Sequence, residues 1–253
     1  MALFTTIHLH NVPAGKEDEY ALWFDGQHHD ALRRLRGFRS ATRFEVTEEQ
    51  VMADIPQPWR YLSVYDLDLP DPKIDLPALG PLIAEARDAG LIDDRLETER
   101  IHSYAMYYDW ISGPNHQPDK PFSGVFIIPA NFVPGMEKEY HAWYDDVHIP
   151  EVTRVPGHAA MRRGRLSPLQ IEPVRYCPGG ELVMCAQQTD DLAFTIQDFS
   201  ARARGVSPSG IAMAPRSKAG SVARTVHFFR KISGKEFWPG GIAYDGDMAP
   251  YGR

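Results

Sequence analysis

"EYALWFDGQHHDALRRLRGF" (residues 19–38) and "EYHAWYDDVHIPEVTRVPGH" (residues 139–158) superpose without a gap, Glu19 on Glu139 and His28 on His148, at a constant offset of 120. Matches continue outward from Asn11 to Arg43. They include Asn11/Asn131, Gly15/Gly135, Glu17/Glu137, Tyr20/Tyr140, Trp23/Trp143, Asp25/Asp145, Gly37/Gly157 and Arg43/Arg163. Self-similarity at a fixed spacing marks repeated structural units, and a period this long means two whole units rather than solenoid turns.

Each unit reads as β-α-β-β-α-β. Phe4–His10 alternates and is rich in β-formers, which predicts a strand. Gly15–Leu35 carries Tyr20, Phe24, Ala31 and Leu35 at helical spacing and stops at Gly37, which predicts an amphipathic helix. Strands follow at 38–46 and 59–67, a short helix at 81–89 and a strand at 100–108. The second unit repeats this order at 124–130, 136–155, 158–166, 181–187, 192–203 and 221–231. That order is the ferredoxin-like split βαβ arrangement. Such a sheet has helices on one face only, so the other face must be buried. The expected fold is α+β: two ferredoxin-like repeats (1–110 and 122–233) packed sheet to sheet as a pseudo-symmetric α/β barrel. A Pro/Gly-rich linker at 111–121 joins them. An extended tail at 234–253, with Trp238, Tyr244 and Tyr251, is expected to dock on a surface, another subunit's included, which would make a homodimer.

Composition bounds the function. The chain has 253 residues, 43% hydrophobic and 24% charged, with a net charge of −7. The balance is globular and speaks against nucleic acid, which asks for a basic patch. Cys177 and Cys185 show no metal spacing and read as free thiols of a reducing compartment. No basic n-region opens the sequence and no apolar run approaches a membrane span. A soluble cytoplasmic protein is expected, with a small molecule as its partner and neither nucleic acid nor membrane.

The stretch "EYHAWYDDVHIPEVTRVPGHAAMRR" resembles the signature of EthD-type proteins in the dimeric α/β-barrel superfamily. The resemblance covers the first helix and second strand of both halves. It implies ligand binding in a cleft between helices and sheet. Cofactor-free cyclases, isomerases, quinol-forming monooxygenases and haem proteins share this fold, so the fold does not name the reaction. In the first half Asp30 and Arg36 stand where the second has Pro150 and Pro156. Pro150 is expected to interrupt its helix near His148, leaving the first-half helix the more continuous.

Candidate chemistry lies on these motifs. Asp25 with His28, and Asp145 with His148, are three apart on a helix and so share a face. A carboxylate beside an imidazole fixes its tautomer, which makes these the candidate catalytic pairs. Exposed i,i+3 pairs are the alternative. Tyr20, Trp23, Tyr140 and Trp143 are either core or the wall of an aromatic pocket. His8 and His10 share one strand face, and His102 and Tyr104 of the neighbouring fourth strand are expected beside them. Ile128 and Ala130 replace the two histidines in the second half. This His/Tyr cluster reads as an acid–base and anchoring site, as a polar interdomain face, or as a metal or haem site. Arg43 and Arg163 are expected either to hold a substrate oxygen or to bridge to Glu17 and Glu137.

No nucleophile elbow, phosphate loop or dinucleotide fingerprint is present. The expectation is therefore a lyase, isomerase or cyclase that needs no cofactor or metal and moves a proton next to a carbonyl. The alternatives are an oxygen-using or haem-dependent oxidoreductase, and a non-catalytic ligand-binding protein of a catabolic pathway.

Overall fold

The computed structural model describes residues 2–52, 54–93, 99–174, 179–206, 213–215, 217–220, 225–235 and 242–243. The first half runs β1 (Ala2–His10), α1 (Glu17–Trp23), a π-helical turn (Phe24–His28), α2 (His29–Leu32), β2 (Phe38–Val46), β3 (Tyr61–Leu69), α3 (Pro72–Asp75), α4 (Leu79–Asp88) and β4 (Arg100–Met106). After the short β5 (Ile111–Ser112), the second half runs β6 (Gly124–Ala130), α5 (Glu137–Trp143), a second π turn (Tyr144–His148), α6 (Ile149–Thr153), β7 (His158–Leu166), β8 (Glu181–Gln187), α7 (Leu192–Ala203) and β9 (His227–Lys235). Strand β10 (Ile242–Ala243) comes last.

The strands close into one antiparallel barrel in the order β4-β1-β3-β2-β9-β6-β8-β7, with β7 returning to β4. Two separate sheets facing each other were expected. Instead β2 pairs with β9 and β4 with β7, so the halves join edge to edge. Closure satisfies the backbone N–H and C=O groups that four free edges would leave unpaired. The fold is thus α+β, a closed barrel with helices outside.

Burial follows the period-2 alternation of the strands. Ile7, Leu9, Leu62, Val64, Val125, Ile127, Leu182 and Met184 fill the barrel. The alternate residues face the helices. Phe4, Tyr65 and Leu67 meet Tyr20, Phe24, Leu32 and Ile83 in the first half. Phe126, Ile128 and Val183 meet Tyr140, Tyr144, Val152 and Phe199 in the second. Strand β6, GVFIIPA, is buried at every position, as a strand covered on both faces must be. Each fully buried side chain of this size contributes roughly 1.5–3 kcal/mol.

Three local expectations change. Pro150 does not break its helix, because it follows the π turn at the start of α6, where a missing N–H costs least. Both halves therefore carry the same α–π–α run. The helix expected at 81–89 begins at Leu79 and is preceded by α3, whose cap Asp71 accepts from the Lys73 N–H at 3.2 Å. The linker is not bare: β5 pairs with β7, and β10 from the tail pairs with β5 of its own chain. Tail residues Trp238, Tyr244 and Tyr251, together with Cys177, lie outside the described residues. Among those described, no helix is long and apolar enough to cross a membrane.

Gly37 and Gly157 each end the helical run at φ +85°. A Cβ at Gly37 would come within 2.3 Å of the Asp68 carbonyl oxygen, so both space and dihedral demand glycine there.

Candidate active site between helix and sheet of the first half

Strand β1 turns His8 and His10 toward the helices, since Ile7 and Leu9 on the other face fill the barrel. Their rings lie 4.3 Å apart between centroids. His10 also packs against Tyr20 at 5.2 Å and stacks with Tyr61 at 5.8 Å. His8 Nε2 is 2.6 Å from Glu99 Oε1, and Glu99 Oε2 accepts from Arg87 Nε at 2.6 Å. Arg87 in turn donates to Glu172 at 2.5 Å. His10 Nδ1 lies 3.1 Å from the His8 carbonyl. A carbonyl only accepts, so Nδ1 carries the proton and Nε2 presents a lone pair. Neither His10 Nε2 nor His8 Nδ1 has a hydrogen-bond partner, and both rings are sealed from solvent.

The electrostatics separate the two imidazoles. Burial, and then the neighbouring His8, hold His10 well below the ordinary histidine pKa, so it is neutral at pH 7. Burial pushes the Glu99 carboxyl up, but the hydrogen bonds and charges of His8 and Arg87 outweigh it and hold the group down at about 2. His8 therefore has an anionic partner throughout the neutral range. That arrangement orients the imidazole and fixes its tautomer. Tyr20 and Tyr65 are pushed above the ordinary phenol range, mainly by burial, and stay protonated donors. Tyr20 Oη lies 3.4 Å from Ser63 Oγ.

The expected Asp25–His28 pair does not form. The π turn inserts one extra residue, which rotates i,i+3 neighbours apart and brings residues five apart together. Trp23 consequently stacks on His28 at 4.2 Å. His28 is buried, lies 3.2 Å from the Tyr65 hydroxyl, and is driven down to about 3 mainly by burial. Asp25 instead meets Arg43 at 3.5 Å, while Arg43 lies over the Tyr20 and Phe24 rings. The bridge expected between Arg43 and Glu17 is absent too, for Glu17 pairs with Arg60.

The second half keeps this frame and fills it. Trp143 stacks on His148 at 4.3 Å. Asp145 accepts from Arg163 at 2.6 Å and from the Tyr108 hydroxyl at 3.1 Å, so it is not the partner of His148. Glu137 pairs with Arg165 and not with Arg163. The Arg163 guanidinium sits over Tyr144 at 4.3 Å and Tyr140 at 5.3 Å, and donates to His141 Nδ1 at 2.7 Å. Ile128 and Ala130 stand where the first half has His8 and His10, and Val183 and Cys185 where it has Ser63 and Tyr65. Burial raises the Cys185 thiol well above its ordinary pKa, which makes it unreactive.

His102 and Tyr104 do not join His8 and His10. In the β1–β4 register His102 lies opposite Ile7 and Tyr104 opposite Thr5, so both belong to the barrel face. The alternation that pairs His8 with His10 excludes them. Sequence reasoning missed Glu99, Arg87, Tyr61, Ser63 and Tyr65. The pairing of β1 with β3 and β4 brings Tyr61, Ser63, Tyr65 and Glu99 to this region, and α4 brings Arg87.

Among the described residues no group of three or more His, Cys, Asp or Glu is placed to hold a metal. The His8, His10 and His28 rings are each packed against another ring.

No protein-family model matches the chain, and no curated protein matches it. Solved structures do match, at identities that show the fold alone. An anthrone oxidase-like protein superposes with a TM-score of 0.57 at 10% identity, over 92% of each chain. A provisionally named monooxygenase from Lactobacillus acidophilus superposes at 0.53 and 9% identity, over 93% of this chain and 97% of that one. Another, from Fusobacterium nucleatum, superposes at 0.52 and 8% identity, over 96% and 97%. The chain thus has the dimeric α/β-barrel fold. These neighbours overturn the expected lyase, isomerase or cyclase reading, because the names they carry are oxidative.

Proposed function

We propose that the chain is an oxygen-using oxidoreductase acting on an electron-rich, enolisable aromatic, such as an anthrone or a quinol, between helix and sheet of its first half. One observation carries this reading: two adjacent buried imidazoles, one backed by a carboxylate, each with an unpartnered ring nitrogen. An unsatisfied buried nitrogen costs roughly 1–3 kcal/mol, and an incoming hydroxyl or acidic C–H would use it. The monooxygenase and anthrone oxidase names of the neighbours support the same direction.

In this reading His8 Nδ1 removes a proton from the substrate, and Glu99 stabilises the imidazolium. His10 Nε2 accepts a hydrogen bond from a substrate hydroxyl and fixes the ring. Trp23 and Tyr20 pack against its faces. The resulting carbanion reduces dioxygen, a C–O bond forms, and the hydroperoxide loses water as His8 returns its proton. A CH₂ and O₂ become C=O and H₂O, which balances on dioxygen as oxidant. His28, Asp25, His148, Asp145, Arg43, Arg163, Tyr140 and Trp143 serve as the frame of the two helix–sheet layers.

We also read the chain as an EthD-like tandem of two ferredoxin-like units, 1–110 and 122–233. The strand orders β4-β1-β3-β2 and β9-β6-β8-β7, with a π turn at the same place in each, support this. A cytoplasmic catabolic enzyme that dimerises through its tail remains part of the reading.

The test is oxygen consumption with anthrone as the probe, using the wild-type chain and His8→Asn. The expected result is one O₂ per ketone formed, falling about 10²–10⁴-fold in the variant, the usual share of a positioned base. Product formation without oxygen, or uptake no faster than the uncatalysed reaction, would remove the proposal.

A further inference from the structure

Inside the barrel, on the opposite face of the sheet from the histidines, lies a cleft of about 40 Å³. Its polar wall is Arg162, Asp66, Ser40 and Thr42, and Trp110 and Phe122 close in from the segment that links the halves. Arg162 is 1% exposed, among the most buried large side chains of the molecule. Its Nη2 lies 2.8 Å from Asp66 Oδ1 and its guanidinium is 4.1 Å over the Trp110 ring. Nε, Nη1 and Nη2 all lack a hydrogen-bond partner, so the contact with Asp66 is an ion pair without an aligned hydrogen bond. Asp66 is already supplied, by Thr5 Oγ1 at 2.9 Å and Ser40 Oγ at 3.3 Å.

This charge pair breaks the internal symmetry. At the offset of 120, Arg162 corresponds to Thr42 and Asp66 to Ala186, and both of those also line the cleft. The register agrees, for Thr42 faces Val64 as Arg162 faces Met184. One half contributes the cation and the other the anion, at only one of two equivalent places. A pure filling of the barrel needs neither, and a buried ion pair by itself is often no better than apolar packing.

We propose that the barrel interior holds a second ligand site, for a small oxyanion of the carboxylate class such as formate or acetate, seated on Arg162. Among the described residues donors outnumber acceptors in the cleft: the guanidinium keeps unused N–H groups beside Asp66, and Asp66 is the only carboxylate of those that line it. An acceptor-rich planar guest satisfies that surplus, and guanidinium–carboxylate geometry suits it. The size sets the limit. With about 10–15 Å³ needed per water, the cleft takes a guest of a few non-hydrogen atoms and excludes an aromatic one. The proposal is independent of the oxidative reading, since the two sites lie on opposite faces of the sheet.

The experiment is thermal unfolding of the full chain with sodium acetate and sodium formate, against sodium chloride at equal ionic strength. The variants are Asp66→Asn and the paired replacement Arg162→Met with Asp66→Asn, which leaves no lone buried charge. The expected result is a saturable rise in midpoint beyond the chloride control. Asp66→Asn, which removes the competing anion, is expected to bind about tenfold more tightly, and the paired variant to show no rise. A midpoint that follows ionic strength alone, a rise that persists in the paired variant, or a crystal grown in acetate with only water on Arg162 would each overturn it.

Discussion

Acid should unfold this protein well before its carboxylates titrate, and His158 shows why. Its ring sits under α7, 5.0 Å from Phe199 and 5.4 Å from Phe126. Nδ1 lies 3.1 Å from the Val152 carbonyl and Nε2 has no partner. Burial, the largest cause, takes its pKa from 6.5 to about 4. The unfolded chain therefore binds the proton first. Stability is full above the unfolded value and falls as the pH drops from 6.5 toward 4. At pH 5 the loss from this one side chain is about 2 kcal/mol. His227, also taken to about 4, and His28, taken to about 3, both chiefly by burial, each add a similar loss. Together the three remove about 6 kcal/mol between pH 8 and pH 5. A domain holds about 5–15 kcal/mol in all.

Urea unfolding followed by tryptophan fluorescence at pH 8, 7, 6 and 5 measures this directly. His158→Phe keeps an aromatic ring among Phe126 and Phe199 and cannot titrate. The Val152 carbonyl keeps a donor in the Val155 N–H at 3.1 Å. Repacking sets the difference between variant and wild type at pH 8. The informative quantity is how that difference changes: the wild type should lose about 2 kcal/mol more than the variant by pH 5. Parallel stability curves for the two proteins across this range would refute the assignment of a neutral buried His158.

Two further outcomes follow from the same geometry. Glu99→Gln removes the anion behind His8 while keeping an acceptor for it, so turnover of the anthrone probe should fall about 10–100-fold; unchanged turnover would detach Glu99 from the reaction. Gly37→Ala must place a Cβ within 2.3 Å of the Asp68 carbonyl oxygen at φ +85°. It should cost about 1–3 kcal/mol in urea unfolding, whereas Gly15→Ala, with nothing within 4 Å of its Cβ, should cost less.

Much of the fold was legible because hydrophobic alternation and the repeat both act locally. Strands at 38–46, 124–130, 158–166 and 181–187 and the helix at 192–203 are found where the pattern placed them. Barrel closure was not legible, since edge pairing between β2 and β9 or β4 and β7 leaves no local signature. The π turn was hidden for a related reason: a repeat of Trp-x-Asp-x-x-His is equally consistent with an α-helix, and only the Trp23–His28 stack reveals the added residue. His8 and His10 were readable as a pair because a strand alternates. The same alternation, applied to the adjacent Arg162 and Arg163, would have sent one into the barrel and the other to the helices.

The residues shared by both halves and those found in one half divide along a physical line. Asp25–Arg43 and Asp145–Arg163 occur at equivalent positions, as do the Trp–His stacks, and all of them join helix to sheet. A contact needed for each unit to fold must persist in each. A contact needed once per molecule need not. His8, His10, Ser63 and Tyr65 face the first helix layer against Ile128, Ala130, Val183 and Cys185 in the second, and Asp66 and Arg162 meet only once inside the barrel. Buried polar groups cost stability wherever they stand, so groups present on one side of a repeat whose other side is apolar are the ones that packing does not explain. The chemistry of this chain is therefore to be sought where its two halves disagree, and the residues on which they agree are the scaffold that holds the disagreement in place.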